Sequence, residues 1–408
     1  MLEELRTMPN ETEVDQQQLE LYSRWVKISG MSSSLNSMLT CSKPYLSTLP
    51  EKFDTNPHLL NCNNKTIDLE NKKAKNFSQD DLITKILPVD FLPGSECPNW
   101  TRFVDEIFLG RTEIIDFIQR YIGYSLTTST KEQCMCIFHG DGRNGKSVFI
   151  ETIRRLMGEY ATVCPSATLV AKQHEGGIPN DIAGLRGARL VTMIETNQNV
   201  TLDEAVIKKL TGSDMIKARF LNKEFFEFMP TFKIIFSSNH KPNIRGTDHG
   251  IWRRIRMIPF DFKVEDHNDD KHLGVKLVEE LPGILLWAIE GYKKYSREGL
   301  PTPSSIMDST EEYKYEEDSI GQFIEDECVT GEDAYVTVKD FKGRIHEFNK
   351  FVSQKAIAEY MRRRGFLKKD NRIIIRGEQV RAFVGIKLKD RYGDMHYTSH
   401  ESHSQASF

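Results

Sequence analysis

No apolar stretch in this chain is long enough to cross a bilayer, and its first residues, Met1-Leu-Glu-Glu-Leu5, lack the basic and then apolar order of a secretory signal. Both absences lead us to expect a soluble, cytoplasmic protein with no membrane partner. Cysteine is sparse: seven are scattered through 408 residues, and the only close pair, Cys134 and Cys136, sits in an apolar run rather than a C-x-x-C knuckle. That pattern offers neither a disulfide framework nor a zinc site. Positive charge is not in excess either. With 55 Lys and Arg against 59 Asp and Glu, the chain is slightly acidic, which argues against a protein that coats nucleic acid and leaves local patches to be judged one by one. Length is ample, since 408 residues exceed one ordinary core and imply two or three domains.

What is present is concentrated between Cys134 and Met157. The apolar run Met135, Cys136, Ile137, Phe138 breaks into Gly140-Asp141-Gly142-Arg143-Asn144-Gly145-Lys146-Ser147. Val148, Phe149, Ile153, Leu156 and Met157 then recur at helical spacing up to Gly158, a helix stop. A G-x-x-x-x-G-K-S spacing between a strand and a helix is a phosphate-binding loop. The backbone bends so that successive N–H groups and the positive end of the helix face phosphate oxygens. Lys146 would reach the outer phosphates and Ser147 would hold Mg²⁺.

Two further apolar runs end in polar groups. Arg189-Leu-Val-Thr-Met-Ile194 leads to Glu195, a carboxylate able to orient and polarise a water beside a γ-phosphate. Phe232-Lys-Ile-Ile-Phe-Ser237 leads to Ser238 and Asn239, whose amide can bond the same phosphate or water if the two strands are neighbours. A phosphate loop followed by two such strands is the layout of a P-loop ATPase sheet, with ligands at the strand carboxyl ends. Between them, Thr201-Leu-Asp-Glu204 reads as a capping box opening a helix to about Leu210. Two strands then flank Leu221-Asn222-Lys223-Glu224, a β-hairpin with Asn222 and Lys223 near its tip. Upstream, spaced apolar residues from Val14 to Ile28 suggest a helix, and Asn63-Asn64 between two short runs suggests a tight hairpin.

The ordered set GDGRNGKS, RLVTMIE, IKKLTGSD with its hairpin, KIIFSSNHKP and GIWRRIRMIPF resembles the superfamily 3 helicases, in particular the phage, plasmid and poxvirus primase-associated branch. FDTNPHLLNCNNKTIDLEN and IGYSLT before the ATPase, and LPGILLWAIEGY and EEDSIGQFIEDEC after it, extend the resemblance over most of the chain. It implies ATP and Mg²⁺ as cofactors, Lys146 and Ser147 on phosphates and metal, Glu195 on water and metal, and Asn239 as γ-phosphate sensor. Lys223, with Asn222, would grip DNA in a ring pore. Arg254 would be the arginine finger offered to a neighbouring subunit, with Arg253 its nearest competitor; an Arg254 buried in its own subunit would not serve. Such a finger tends to raise hydrolysis by about 10³ to 10⁵. The resemblance further implies a ring, hexameric in this branch, 3′ to 5′ travel on single-stranded or forked DNA, and a primase that is separate or fused. Two departures stand out: Ile194 occupies the place of a second acid, and Thr211-Gly-Ser-Asp214 replaces Thr-Gly-Gly-Asp.

Beyond Asp308 the sequence turns acidic as far as Asp333, with Lys314 its only base, and reads as a solvated connector leading into a helix around Ile320 to Cys328. Charge then reverses: between Tyr335 and Asp390, Lys and Arg exceed acids by nine. Two helices and two strands there suggest a winged helix that meets DNA through Arg362, Arg363, Arg364, Lys368 and Lys369. His396, His400 and His403 lie in a tail of low apolar content and form no metal site. The expected fold is therefore α/β. An N-terminal helical module with a β-hairpin (1–105) precedes an AAA+-like P-loop ATPase core with a helical lid (106–300). An acidic connector (301–333), a winged-helix-like basic domain (334–392) and a disordered tail (393–408) follow. Two rival functions remain: an origin-binding or loading ATPase without processive unwinding, and a non-hydrolysing scaffold that nucleotide merely stabilises.

Overall fold

The structure, a computed structural model, describes residues 13–171, 180–195, 197–198, 200–244, 249–265, 270–349, 352–366, 372–375 and 378–389. It divides into two units, Met1–Asn56 with Ser78–Thr84, and Pro57–Phe77 with Lys85–Phe408. The smaller unit carries helices α1 (Glu13–Ser29) and α2 (Ser32–Leu46). Tyr22 and Trp25, three apart on one helical face, stack at 5.8 Å. Leu21, Trp25, Ile28, Leu35 and Met38 nevertheless stay exposed, and α2 buries no side chain. The Asp54 carboxylate accepts the N–H and the hydroxyl of Thr84, which ties the two pieces of this unit together.

In the larger unit, β1 (Leu59–Asn61), β2 (Thr66–Asp68) and β3 (Lys73–Lys75) form an antiparallel sheet with the turn at Asn63 and Asn64. Helices α3 (Pro98–Ile107) and α4 (Thr112–Ser125) follow. Leu60, Cys62, Ile67 and Leu69 of the hairpin share one core with Trp100, Phe103 and Phe117 of these helices. The unit boundary therefore falls at Pro57 rather than near 105, because the hairpin's apolar face has no other core to enter.

The chain then alternates strand and helix: β4 (Met135–His139), α5 (Lys146–Met157), β5 (Ala161–Val163), α6 (Asn180–Ala183), β6 (Leu190–Glu195) and α7 (Glu204–Leu210). The hairpin β7 (Ile216–Ala218) and β8 (Phe226–Phe228) precedes β9 (Lys233–Ser238), α8 (His249–Trp252) and β10 (Ile255–Pro259). The Asp203 carboxylate, not Thr201, caps α7 by accepting the Val206 N–H at 3.1 Å. Five strands pair in the order β10-β4-β9-β6-β5, every neighbour parallel. Alternation along β4 sends Cys136 and Phe138 into one core and Met135 and Ile137 into a second on the opposite face. Three cations close the amino-terminal edge of this sheet. Arg189 donates to the carbonyls of Leu126 and Leu59, Lys233 to those of Thr127 and Ser129, and Arg254 to that of Gly250.

Helices α9 (Leu273–Glu279) and α10 (Leu281–Glu298) return across the first core. Where α10 meets α4 the backbones nearly touch: a Cβ on Gly123 would lie 2.0 Å from the Tyr292 nitrogen, and one on Gly291 2.0 Å from the Gln119 oxygen. The stretch expected to be a solvated connector is instead a packed helix, α11 (Ser304–Glu317), and the helix expected around Ile320 to Cys328 follows it as α12 (Ser319–Glu327). Ile306, Thr310 and Tyr313 form a buried stripe on α11, and its acids other than the half-buried Glu317 face outward. The chain ends in β11 (Cys328–Thr337), α13 (Val338–Phe348), α14 (Gln354–Arg363), β12 (Arg372–Ile375) and β13 (Glu378–Leu388). Its antiparallel sheet has the order β11-β13-β12 and its own core around Phe323, Phe341, Ile357 and Phe383. β11 and α12 belong to this body, so it begins earlier than residue 334. Lys368, Lys369, His396, His400, His403 and the tail 393–408 lie outside the described residues. Among the described residues no helix is long and apolar enough to cross a membrane.

The α4–α10 crossing admits no side chain, whereas Gly274 in α9 has nothing within 4 Å of its Cβ position. Gly123→Ala is expected to lower stability by about 1–3 kcal/mol through overpacking against main chain, and Gly274→Ala to leave it unchanged or slightly raised. Urea denaturation of both variants checks the pair.

Candidate functional site

The loop 140–147 joins β4 to α5 and is shaped by three glycines and an asparagine. Gly142 and Gly145 have φ of 86° and 83°, and Arg143 shares the left-handed region at 50°. A Cβ on Gly145 would come within 2.5 Å of Ile107, and one on Gly140 within 2.3 Å of the Phe260 carbonyl, so both positions exclude larger residues. Buried Asn144 donates to that Phe260 carbonyl at 3.1 Å, and Val264 N–H donates to the Arg143 carbonyl at 2.8 Å. The segment after β10 thus clamps the loop. Lys146 folds over it, its Nζ donating to the Gly140 carbonyl and to Asn144 Oδ1, and burial pushes its pKa below the ordinary lysine value. Ser147 stays exposed in the first turn of α5, where helix N–H groups have no intrahelical partner.

Parallel pairing brings the other two polar strand ends alongside. His139 and Glu195 both align with Ser238, one on either side of β9. Neighbouring strands lie about 4.8 Å apart, which sets Glu195 roughly 10 Å from the phosphate-loop strand with Asn239 between them. Glu195 is 5 % exposed and accepts the Asn197 N–H at 2.7 Å. Asn239 is half-buried just beyond β9, where Ser238 Oγ holds the turn by donating to the His240 carbonyl at 2.6 Å. Ile194 is 54 % exposed, on the strand face opposite Glu195. Among the described residues no three His, Cys, Asp or Glu side chains gather into a metal cage. A magnesium ion here would therefore rest on Ser147, phosphate oxygens and water, with Glu195 the nearest strand-end acid.

Three elements of the expected site stand elsewhere. Arg254 precedes β10 at the opposite edge of the sheet and is only 9 % exposed. Its guanidinium donates to Thr211 Oγ1 at 3.2 Å and to the Gly250 carbonyl at 2.6 Å. That side chain is thus engaged within its own subunit. Arg253 is exposed, with one hydrogen bond to Gln133 Oε1 at 2.9 Å. Both precede a strand of five residues, so they stand roughly 16 Å below the level of Gly140. Neither can reach its own subunit's phosphate loop.

The β7–β8 hairpin projects Asn222, at φ 59°, and Lys223 into solvent. Phe220 and Phe225 are each 45 % exposed on it; Phe220 stacks on Phe226 at 5.6 Å, and Lys217 and Arg219 lie over the Phe225 ring. The sequence suggests strands that include Phe220 and Phe225, whereas β7 ends at Ala218 and β8 begins at Phe226, so both rings stand on the connection between the strands. On α14, Arg362, Arg363 and Arg364 are all exposed; Arg363 pairs with Glu359, and Arg364 bonds Tyr360 Oη at 3.1 Å.

Comparison with known proteins bears on both halves of the chain. A family model described as D5 N terminal like matches residues 1–109, and one described as a family of unknown function (DUF5906) matches residues 138–254. "Putative helicase L207/L206" of Acanthamoeba polyphaga mimivirus is 25 % identical over 322 residues, covering 73 % of this chain and 33 % of that protein. "Putative primase C962R" of African swine fever virus is 27 % identical over 227 residues, covering 54 % of this chain and 24 % of that protein. The chain spans a quarter to a third of the length of these curated relatives. The apo structure of the NrS-1 C terminal region aligns over 86 % of this chain and 90 % of that one, at 11 % identity and a TM-score of 0.48, too low to argue from.

The two arginines before β10 should separate by stability. Arg254→Met leaves the Gly250 carbonyl and Thr211 without their donor and is expected to cost about 1–3 kcal/mol. Arg253→Ala should fall within about 0.5 kcal/mol of the parent. Chemical denaturation of the two single variants is the check.

Proposed function

We propose that this chain is the motor part of a viral or other mobile-element replication helicase, an AAA+-like superfamily 3 ATPase that hydrolyses ATP between subunits of a ring. The observation that carries this reading is the register of β4, β9 and β6, which brings the phosphate loop, Asn239 and Glu195 to one edge of one sheet. The relatives named as helicase and primase support a replication role of that general kind. Bound ATP with Mg²⁺ supplies the phosphoanhydride bond to be cut. In this chain, the α5 N-terminus and Lys146 bind phosphate, and Ser147 offers its hydroxyl to the metal. Glu195 orients the attacking water and takes its proton, and Asn239 hydrogen-bonds the terminal phosphate.

Arg253 takes the role of the finger. It lies at the sheet edge remote from its own loop and is exposed, so its guanidinium is available only to another subunit's nucleotide. The ring, six-membered by resemblance, would move 3′ to 5′ on single-stranded and forked DNA in the cytoplasm. Lys223 and Asn222 would track the phosphate backbone. The exposed Phe220 and Phe225 are suited to stacking bases beside them. The helix, strand, two helices and hairpin of residues 319–388 are consistent with a winged helix, which would meet duplex DNA through Arg362, Arg363 and Arg364, with Lys368 beyond the described residues. Priming would come from a separate protein or from another part of a longer chain.

A second reading, a nucleotide-stabilised DNA-binding scaffold, has one observation in its favour: the strand position where an acid would assist the metal is the exposed Ile194. Steady-state ATP hydrolysis separates the two. The motor reading expects turnover in the parent and at least a hundredfold less in Lys146→Ala; a parent that binds ATP without turnover establishes the scaffold. Glu195→Gln and Arg253→Ala proteins, each inactive alone, should regain hydrolysis when mixed, because some interfaces then pair an intact Glu195 with an intact Arg253. Absence of rescue at every mixing ratio removes the shared site.

A further inference from the structure

The loop after β9 is fastened to α11 at three points. Tyr313 Oη donates to the Pro242 carbonyl, and its buried ring packs edge-on against Trp252 at 5.2 Å. The Glu317 carboxylate accepts the Ile244 N–H at 2.7 Å. Lys241 Nζ lies 2.8 and 2.7 Å from the two carboxylate oxygens of Glu316. The first two contacts involve buried or main-chain groups. The third is an ion pair whose side chains are 26 % and 45 % exposed, the kind of contact that contributes little net stability and exchanges partners readily.

Lys241 also stands near the phosphate loop. It follows Asn239 by two residues, in the loop that leaves β9, the strand paired with the phosphate loop's own strand. His139, the last residue of β4, is pushed below the ordinary imidazole range by burial and then by the charges of Lys241 and Lys146, with Asp141 and Glu316 opposing. On its far side the same acidic run enters the basic C-terminal body. Asp318 Oδ1 caps α12 by accepting the Gly321 N–H at 2.8 Å, and its Oδ2 accepts Tyr360 Oη at 2.9 Å. That phenol oxygen in turn accepts Arg364 Nη2 at 3.1 Å. Glu316, Glu317 and Asp318 thus join the candidate sensor loop to α14 through three consecutive residues.

We infer that Lys241 is a phosphate-responsive cation shared between Glu316 and the terminal phosphate of a bound nucleoside triphosphate, so that the grip of the C-terminal body on duplex DNA depends on nucleotide state. This rests on the nucleotide reading of the loop 140–147. With triphosphate present, Lys241 turns to it, Glu316 is released, and the last turn of α11 no longer holds Asp318 and Tyr360 in their resting places. Both states are defined by which anion Lys241 contacts, which is the differential interaction a population shift requires.

The test uses the full chain, a fluorescent duplex DNA and a non-hydrolysable ATP analogue with Mg²⁺, with binding of a fluorescent ATP analogue read separately. In the parent, analogue should change DNA affinity about fivefold. Glu316→Gln should keep nucleotide binding, hold DNA affinity at the nucleotide-bound level throughout, and reduce the ratio to about one. The charge-reversed pair Lys241→Glu with Glu316→Lys restores the clasp without attraction to phosphate, and should stay at the resting level with or without analogue. A Glu316→Gln protein that keeps the parental ratio, or a reversed pair that still responds, overturns the inference. A parent that binds nucleotide but shows no change in DNA affinity overturns the coupling alone, whereas a parent that binds no nucleotide overturns the reading of the loop and the inference with it.

Discussion

Parallel pairing imposes a division of labour on the two edges of the central sheet. Because β4, β9 and β6 run in one direction and in register, all three carboxyl ends emerge together, and all three amino ends lie together a strand's length away. At the carboxyl edge the chain leaves each strand in a polar loop: Gly140, Asn239, Glu195. At the amino edge the carbonyls of Leu126, Thr127, Ser129 and Gly250 converge and are satisfied by Arg189, Lys233 and Arg254. A buried cation is tolerable there because main-chain acceptors replace its lost hydration. Even so, burial and the neighbouring Arg189 push Lys233 well below the ordinary lysine pKa. Cations at this edge hold the sheet together, and the candidate site residues belong to the other.

That division explains what could be read from sequence and what could not. The phosphate loop, its strand and its helix are legible because their signals are local: a glycine spacing, an apolar run, a helical period. Arg253 and Arg254 are neighbours of identical type, and which of them faces inward is decided by the pairing of β10 with β4, including the Met135 N–H donated to the Arg254 carbonyl. No local pattern contains that register. Helix α11 failed for a different reason. Ile306, Thr310 and Tyr313 recur at helical intervals, but acids crowd the intervening positions and give the segment the composition of a solvated linker. β11 offered less still, since only its two ends bury side chains and its middle carries the irregularity between Thr330 and Tyr335.

Sequence spacing also conceals pairings that span the chain. Lys241 follows Asn239 by two residues, yet its partner Glu316 is 75 residues downstream in a segment with the composition of a connector. The clamp on the phosphate loop is of the same kind: Asn144 is held by the carbonyl of Phe260, 116 residues away. In both cases one partner sits in a recognisable motif and the other in unremarkable sequence, and only the sheet order β10-β4-β9 brings them together. The edge strand β10 is thus less peripheral than its place suggests. Its outgoing end shapes the loop, while its incoming end places Arg253 at the surface and Arg254 beneath it.

The way α11 crosses the open side of β10 limits how any signal can leave the carboxyl edge. Ile306 belongs to the core on one face of the sheet and Tyr313 to the core on the other, and Thr310 Oγ1 accepts the Met257 N–H at 3.1 Å between them. Sliding the whole helix would uncover both cores, and burying one such side chain is worth about 1.5–3 kcal/mol. An exposed ion pair such as Lys241–Glu316 is worth about 0–1 kcal/mol. Under any competing charge the pair therefore yields long before the helix does, and movement is confined to residues beyond Tyr313, the last turn of α11 and Asp318. The link between the five-stranded sheet and the C-terminal body is stiff where it is apolar and compliant where it is charged, and its charged end lies against the loop after β9.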